Sequence, residues 1–347
     1  MPLFGPSGAS EHLRAIVRAL RRAGHDVRLS VGAMVDARGR WGEPVGGPIA
    51  LAPRTRWPRG LRTLGAGVDA AAGLRRATAD GWRPDWIWER HALTSGVPGF
   101  AARVGARWLI EVNAPVVQER RAAGAKVRGR VERRAARRVA TADRVIAVST
   151  WLANWAVGRG AASHRVRVVP NGVEPAVLED RIRARHRLPV PDSARIVIGF
   201  VGSFRQAHGV EQLPAIVDEL GEDAWLVTVG TGPVTLPAHR RIVALGQVPP
   251  QEVGAILAGF DVGVAPYTTD APPWFSPLKL LAYRAQGVPV VTGPLPEAPR
   301  LLGGEGGEIV HSGKIGDWVA AIRRQAGRHP RPAVRTWDDV VTEALRA

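Results

Sequence analysis

Three short segments hold residue types suited to handling a phosphate. The first is Gly5-Pro6-Ser7-Gly8-Ala9-Ser10, which opens directly into an amphipathic run. Small residues there let backbone N–H groups approach an anion, and a helix start adds partial positive charge. The same pattern is also that of a plain turn. The second, Phe200-Val201-Gly202-Ser203-Phe204-Arg205-Gln206-Ala207-His208-Gly209, follows a strand-like run and brings Arg205 and His208 to another helix start. Alone these read equally as a surface Arg and a capping His. The third runs Trp274-Phe275-Ser276-Pro277-Leu278-Lys279-Leu280-Leu281-Ala282-Tyr283. Ser276 reads as an N-cap and Pro277 as the first helical residue, so backbone N–H groups over Phe275–Leu278 face outward. Lys279 then falls in the first turn, where a cation opposes the macrodipole unless an anion sits there. A phosphate resolves that conflict; a Lys279 snorkelling into solvent is the other reading.

Positioning these segments requires strands that end where the loops begin. Strand-like runs are Asp26–Val31, Asp85–Trp88, Arg107–Val112, Arg144–Val148 and Arg165–Val169, then Arg195–Val201, Trp225–Val229, Arg241–Leu245, Asp261–Ala265 and Val288–Thr292. Helical spacing such as Leu13, Ile16, Val17 and Leu20 separates them. Short apolar strands alternating with amphipathic helices predict parallel sheets covered on both faces. Two series of five predict an α/β chain of two doubly wound, Rossmann-like domains, joined near Pro170-Asn171-Gly172 and facing across a cleft that suits a substrate pair. The expected boundaries are 1–172 and 173–330, with a C-terminal helix in 331–347 returning to the first domain. The first domain reaches Gly5 and Gly8 without its opening strand, so either translation begins upstream of Met1 or that strand is missing. The Gly/Pro-rich stretch Gly39–Gly60 reads as a surface excursion.

The composition of the 347 residues bounds the chemistry. With no Cys there is no disulfide scaffold, thiolate nucleophile or Cys-ligated metal. No run approaches a membrane span, and Glu11, His12, Arg14 and Arg18 interrupt the place of a signal-peptide core. A cytoplasmic setting is expected. The formal charge of +17 is uneven: residues 1–180 carry a net +15 and the remainder +2. Its densest part runs from Arg120 to Arg144, where Val127, Val131, Ala135 and Val139 mark one apolar stripe of a basic helix with Arg128, Arg130, Arg133, Arg134, Arg137 and Arg138. That helix reads as a solvated face, as a peripheral contact for an anionic membrane or acidic acceptor, or as a nucleic-acid surface. No nucleic-acid module accompanies it, so nucleic acid is not an expected partner.

Taken in order, the segments resemble retaining glycosyltransferases of family 4 with the GT-B fold. The landmarks are Gly8 with its helix ending Arg22-Ala23-Gly24-His25-Asp26-Val27; Trp88-Glu89-Arg90-His91; Glu111-Val112-Asn113-Ala114-Pro115 with Glu119; Val145-Ile146-Ala147-Val148-Ser149; and Val169-Pro170-Asn171-Gly172-Val173. The second half adds Val201-Gly202, Val229-Gly230-Thr231-Gly232-Pro233, Leu245-Gly246-Gln247-Val248, Asp261-Val262-Gly263-Val264-Ala265-Pro266-Tyr267 and the segment around Lys279. Each is modest, but their shared order spans nearly the whole chain.

The resemblance implies transfer of a sugar from a nucleotide-diphosphate sugar, with retention and without a metal or other cofactor. The donor would lie mainly on the second domain, at Gly202, Ser203, Arg205, His208, Gly230, Val248, Tyr267, Phe275, Ser276, Pro277, Leu278 and Lys279, with Gly8 from the first. An acceptor (glycan, lipid or small molecule) would lie on the first, near His91, Glu111, Asn113 and Glu119. His91, Arg205 and Lys279 would carry the catalytic work. Glu111 and Asn113 read equally as strand-end structural residues.

The chain departs from the family pattern at four places. Trp274 and Ala282 stand where two Glu residues with seven residues between them are usual, and Ser203 and His208 where an Arg and a Lys are usual. Losing a charged hydrogen bond to the nucleotide ribose costs about 1.5–3 kcal/mol, one or two orders of magnitude in donor affinity. The rival reading is therefore a catalytically impaired paralogue that scaffolds or regulates. A nicotinamide-dependent enzyme is disfavoured because no Gly-x-Gly-x-x-Gly with a downstream ribose acid is present. Sugar, base, acceptor and oligomeric state are not written in the sequence.

Overall fold

A computed structural model describes residues 8–31, 49–51, 62–122, 124–174, 178–332 and 335–346. The chain divides into two compact units, Met1–Asn171 with Trp337–Ala347, and Gly172–Thr336.

Unit 1 starts with α1 (Gly8–Arg22), β1 (Leu29–Val31), β2 (Ile49–Leu51), α2 (Arg62–Ala77), β3 (Trp86–Arg90) and α3 (Val97–Val104). It continues with β4 (Arg107–Val112), α4 (Val116–Ala122), α5 (Gly129–Thr141), β5 (Arg144–Ala147), α6 (Thr150–Gly158) and β6 (Val166–Val168). The order β3-β4-β5-β6 forms a parallel sheet, with β1 and β2 paired separately, also in parallel. β4 is buried at every residue but Arg107, as a central strand covered on both faces must be. The expectation of a missing opening strand and most of the expected excursion at Gly39–Gly60 concern residues outside the described ones; Ile49–Leu51, inside that stretch, pairs as β2. The basic run is not one helix. Val127 lies between α4 and α5, and Gly124 (φ +79°) turns the chain there.

Unit 2 contains α7 (Arg181–His186), β7 (Ile196–Val201), α8 (Leu213–Leu220), β8 (Ala224–Val229), β9 (Ile242–Ala244), α9 (Pro250–Ala258) and β10 (Val262–Ala265). It ends with α10 (Leu278–Ala285), β11 (Val290–Thr292), α11 (Ala298–Leu302), β12 (Gly307–Ile309) and α12 (Ile315–Gln325). Helix α13 (Trp337–Leu345) follows and packs on α1 in unit 1, where Trp337 meets His12 edge-on at 4.8 Å. The six strands of unit 2 run parallel in the order β12-β11-β10-β7-β8-β9. β2 and β12 are three-residue strands that periodicity does not reveal, since so short a run shows too little alternation.

Alternation along β7 builds two cores. Ile198 and Phe200 face Ile216, Val217, Trp318 and Ile322 of α8 and α12, whereas Val197 joins Leu257, Phe260, Leu280 and Tyr283 on the opposite face. The sheet is thus covered by helices on both sides. Burying each large apolar side chain contributes roughly 1.5–3 kcal/mol. Two strand glycines make room for rings: a Cβ on Gly199 would stand 1.8 Å from the Phe260 ring, and one on Gly263 2.5 Å from Tyr283. The Tyr283 hydroxyl accepts the Val201 N–H (2.8 Å) and lies 3.1 Å from the Gly199 carbonyl and 3.3 Å from that of Val264. It ties β7 to β10 at the point where the strand order reverses, and ligands of doubly wound sheets bind at such a point.

Candidate functional site

The carboxyl ends of β7 and β10 bring six of the sequence-predicted residues together, Gly202, Ser203, His208, Tyr267, Phe275 and Lys279. After β7 the chain turns at Gly202 (φ +137°) and passes Ser203 and Arg205 to a short 3-10 turn, Gln206–His208. After β10 it reaches Tyr267, and Lys279 comes from the first turn of α10. The Lys279 ammonium nitrogen sits 4.0 Å from the Phe200 ring centroid and 5.1 Å from that of Tyr267. It also stands 3.2 Å from the position a Cβ on Gly202 would take, so a side chain there would displace it.

Lys279 does not snorkel. It is 8% exposed, and its Nζ is buried without a hydrogen-bond partner. Burial alone lowers its pKa to about 7. His208 packs edge-on to Tyr267 (5.4 Å) and Phe275 (6.1 Å), and its Nδ1 donates to the Ser203 carbonyl at 2.5 Å. That bond fixes the tautomer, so the neutral ring leaves Nε2 as an acceptor. Burial lowers the His208 pKa to about 4, assisted by the charges of Lys279 and Arg205 and opposed by the Ser203 carbonyl. His208 does not cap a helix through its side chain. Arg205 is exposed.

The expected start of α10 needs correction. Pro277 (φ −79°, ψ 92°) is extended and is itself the N-cap, because its carbonyl accepts the Leu280 N–H at 3.1 Å. Ser276 therefore lies one residue outside the helix. Pro277 has no N–H, and that of Phe275 donates to the Pro272 carbonyl at 3.0 Å. Of the N–H groups expected to face an anion, Leu278 remains at the helix start, joined by that of Lys279.

Other donor-side residues are architectural. A Cβ on Gly230 (φ +110°) would stand 2.1 Å from the Gly202 carbonyl oxygen, so Gly230 permits two loops to touch. Val248 is half-buried before α9. Gly209 (φ +63°) presses on Pro266, whose carbonyl oxygen is 1.7 Å from the position of a Cβ. Gly209→Ala is accordingly expected to lower stability by about 2–4 kcal/mol, from left-handed strain plus overpacking, measured by urea denaturation.

In unit 1, His91 extends β3, its N–H bonded to the Glu111 carbonyl at 2.8 Å. The ring is buried and neither nitrogen makes a hydrogen bond. Burial lowers its pKa to about 4, with Arg138 adding repulsion and the carbonyls of Ala114 and Ala135 opposing. His91 lines a small pocket with Val117, Gln118, Glu132, Ala135, Ala136, Trp155 and Arg159. Arg138 is not part of the basic surface: its guanidinium is turned inward onto the carbonyls of Ala92 and Leu93. Arg128, Arg130, Arg133, Arg134 and Arg137 are exposed. Glu119 is exposed on α4, and Gly8 is the first residue of α1.

Glu111 is engaged in structure. Oε1 lies 2.7 Å from His12 Nε2 of α1, and Oε2 accepts from Trp88 Nε1 at 3.1 Å. Burial pushes its pKa up, but His12, Arg90 and Trp88 prevail and hold it at about 2. Its stabilising contribution is therefore complete above the ordinary carboxylate value of 4.5 and is lost as pH falls through about 2. Glu111→Ala strands two buried polar groups and should cost about 3–5 kcal/mol, read as a lower urea midpoint at pH 7. Spacing alone assigns no role to Phe200, which supports Lys279, or to Arg90. An aromatic at the end of a buried strand looks like core, and nothing in its spacing says otherwise.

The family model of Glycosyltransferase Family 4 matches residues 6–177, and that of Glycosyl transferases group 1 matches 195–326. A D-inositol 3-phosphate glycosyltransferase of Acidothermus cellulolyticus is 29% identical over 266 residues, 71% of this chain and 54% of that protein. The chain thus spans about half the length of this curated relative. The sucrose-phosphate synthase of Thermosynechococcus elongatus superposes with a TM-score of 0.69 at 18% identity, covering 98% of this chain and 90% of the other. Anabaena HepE in complex with UDP-glucose gives 0.67 at 15%, covering 98% and 92%. Both structural likenesses concern the fold.

Proposed function

Since the chain belongs to the GT-B glycosyltransferases, with a Family 4 domain ahead of a group 1 domain, we propose that it transfers a sugar from a nucleotide-diphosphate sugar to an acceptor hydroxyl with retention of configuration. The observation that carries this reading is Lys279: a buried ammonium without an acceptor, at a helix start, on the carboxyl edge of a doubly wound sheet. Such a group is satisfied when an anion arrives. The diphosphate would take Lys279, Arg205 and the N–H groups opening α10. These charges favour departure of the nucleotide as negative charge grows on the leaving oxygen, without further reorganisation. His208, with Nε2 unprotonated near neutral pH, suits a hydroxyl of the donor better than a phosphate oxygen. Unit 1 would hold the acceptor near His91 and Asn113, keeping the attacking hydroxyl on the face the nucleotide leaves. The exposed arginines of α5 support a peripheral contact with an anionic surface; no described helix is long and apolar enough to cross a membrane.

The test is a thermal-shift panel of UDP-, GDP-, ADP- and dTDP-sugars followed by donor hydrolysis assays. One nucleotide series should stabilise the protein and be hydrolysed slowly. Binding without hydrolysis or transfer would favour the impaired paralogue, and no response to any series would refute the assignment.

A further inference from the structure

Unit 1 carries a pair of buried hydrogen-bond donors whose partners are not accounted for by the interactions described above. Arg90 ends β3 and Asn113 is the first residue beyond β4. The parallel register sets Arg90 beside Glu111, which Asn113 follows by two residues. Arg90 Nη1 and Asn113 Nδ2 are both buried without a hydrogen-bond partner. Glu111 is near enough to feel the charge of Arg90, yet its oxygens face His12 and Trp88 instead. Glu89, one residue earlier in β3, accepts from Trp108 Nε1 at 2.9 Å and feels Arg138. Neither carboxylate makes an ion pair with Arg90.

A guanidinium nitrogen and an amide nitrogen buried in this way are costly unless a ligand completes them. Both are donors, so the ligand must present acceptor oxygens, and the fixed positive charge selects an anion over a neutral hydroxyl. Glu111, beside them, receives α1 through His12. Lys279 and Arg205, assigned above to the diphosphate, belong to the other unit.

We propose that Arg90 and Asn113 hold an oxyanion carried by the acceptor, so that the acceptor is a phosphorylated or carboxylated molecule and Arg90 determines that specificity. This rests on the reading of unit 1 as the acceptor side.

The experiment uses the full chain bearing Lys279→Met, which removes the donor-side ammonium. It is titrated with inorganic phosphate and with acetate at constant ionic strength, and melting temperature and calorimetric heat are followed. Phosphate, acetate or both should bind and raise the melting temperature by several degrees, and the better anion identifies the acceptor's acid group. Adding Arg90→Gln should abolish the response, whereas Arg90→Lys should keep part of it. A response to neither anion, or one that survives Arg90→Gln, overturns the proposal. Whichever of UDP, GDP, ADP and dTDP the unaltered chain binds should bind the Arg90→Gln single variant equally well; a tenfold loss would place Arg90 on the donor side and also overturn it. Failure of the transferase reading looks different: no response of the unaltered chain to any of the four, with the Arg90-dependent anion response intact.

Discussion

Lys279→Met should lower kcat/KM for the donor by three orders of magnitude or more while raising the melting temperature of the ligand-free protein. The two effects share one cause. In the empty protein the ammonium is buried on the Phe200 and Tyr267 rings without an oxygen to accept its protons. Rings attract a desolvated cation by about 2 kcal/mol, less than burial of a charge costs. An apolar side chain of similar length removes that cost, so the variant should gain about 1–2 kcal/mol. With a diphosphate bound, the balance inverts. A charge-assisted hydrogen bond of about 1.5–3 kcal/mol disappears from binding, and a further factor of about 100–1,000 disappears from the rate because charge development is no longer met. Scanning calorimetry paired with initial rates decides the matter. A variant that loses activity because it misfolds would melt earlier, and a near-normal rate would exclude Lys279 from the reaction.

Donor affinity should weaken about 20–30-fold between pH 6.5 and 8.5. The sign follows from the direction of the Lys279 shift. Burial lowers its pKa to about 7 in the free protein, and an adjacent diphosphate must raise it again. Between those two values binding takes up a proton, so the dissociation constant climbs by up to tenfold for each unit of pH. The neighbours do not confuse this window. His208 has already lost its proton, its pKa lying near 4, while burial shifts the Tyr267 and Tyr283 hydroxyls upward and out of range. Calorimetry at pH 8 in buffers of different ionisation heat should show close to one proton taken up by the unaltered chain and none by Lys279→Arg. Equal affinity at both pH values would mean that the ammonium stays charged without its anion.

Much of this arrangement is legible in the amino-acid order, and what is not has physical reasons. Runs such as Arg107–Val112 and Val262–Ala265 announce themselves because a strand covered on both faces must be apolar throughout. Lys279 stands out through its conflict with the dipole of α10, a local argument that needs no tertiary knowledge. Its burial does need it: the floor is assembled from Phe200 and Tyr267, 79 and 12 residues away in sequence, and no spacing rule connects them. Arg138 shows the converse. One of five arginines in α5, it differs only in the angle at which it projects, which sends it inward to two carbonyls. The engagement of Glu111 with His12 joins residues 99 apart and is likewise invisible to periodicity.

Helix α13 buries Trp337, Val340, Val341 and Ala344, and its Ala344 carbonyl accepts from Arg144 of β5 at 2.6 Å. A ribosome delivers these residues only after all of Gly172–Thr336, whose own two ends are already stitched by the Val173–Thr336 bridge. The half synthesised first must therefore linger incomplete, exposing the part of α1 on which α13 packs, while the half synthesised later can close without help. Order of synthesis and order of maturation run in opposite directions, and a nascent-chain arrest placed before α13 should leave the earlier half sensitive to protease and the later half resistant.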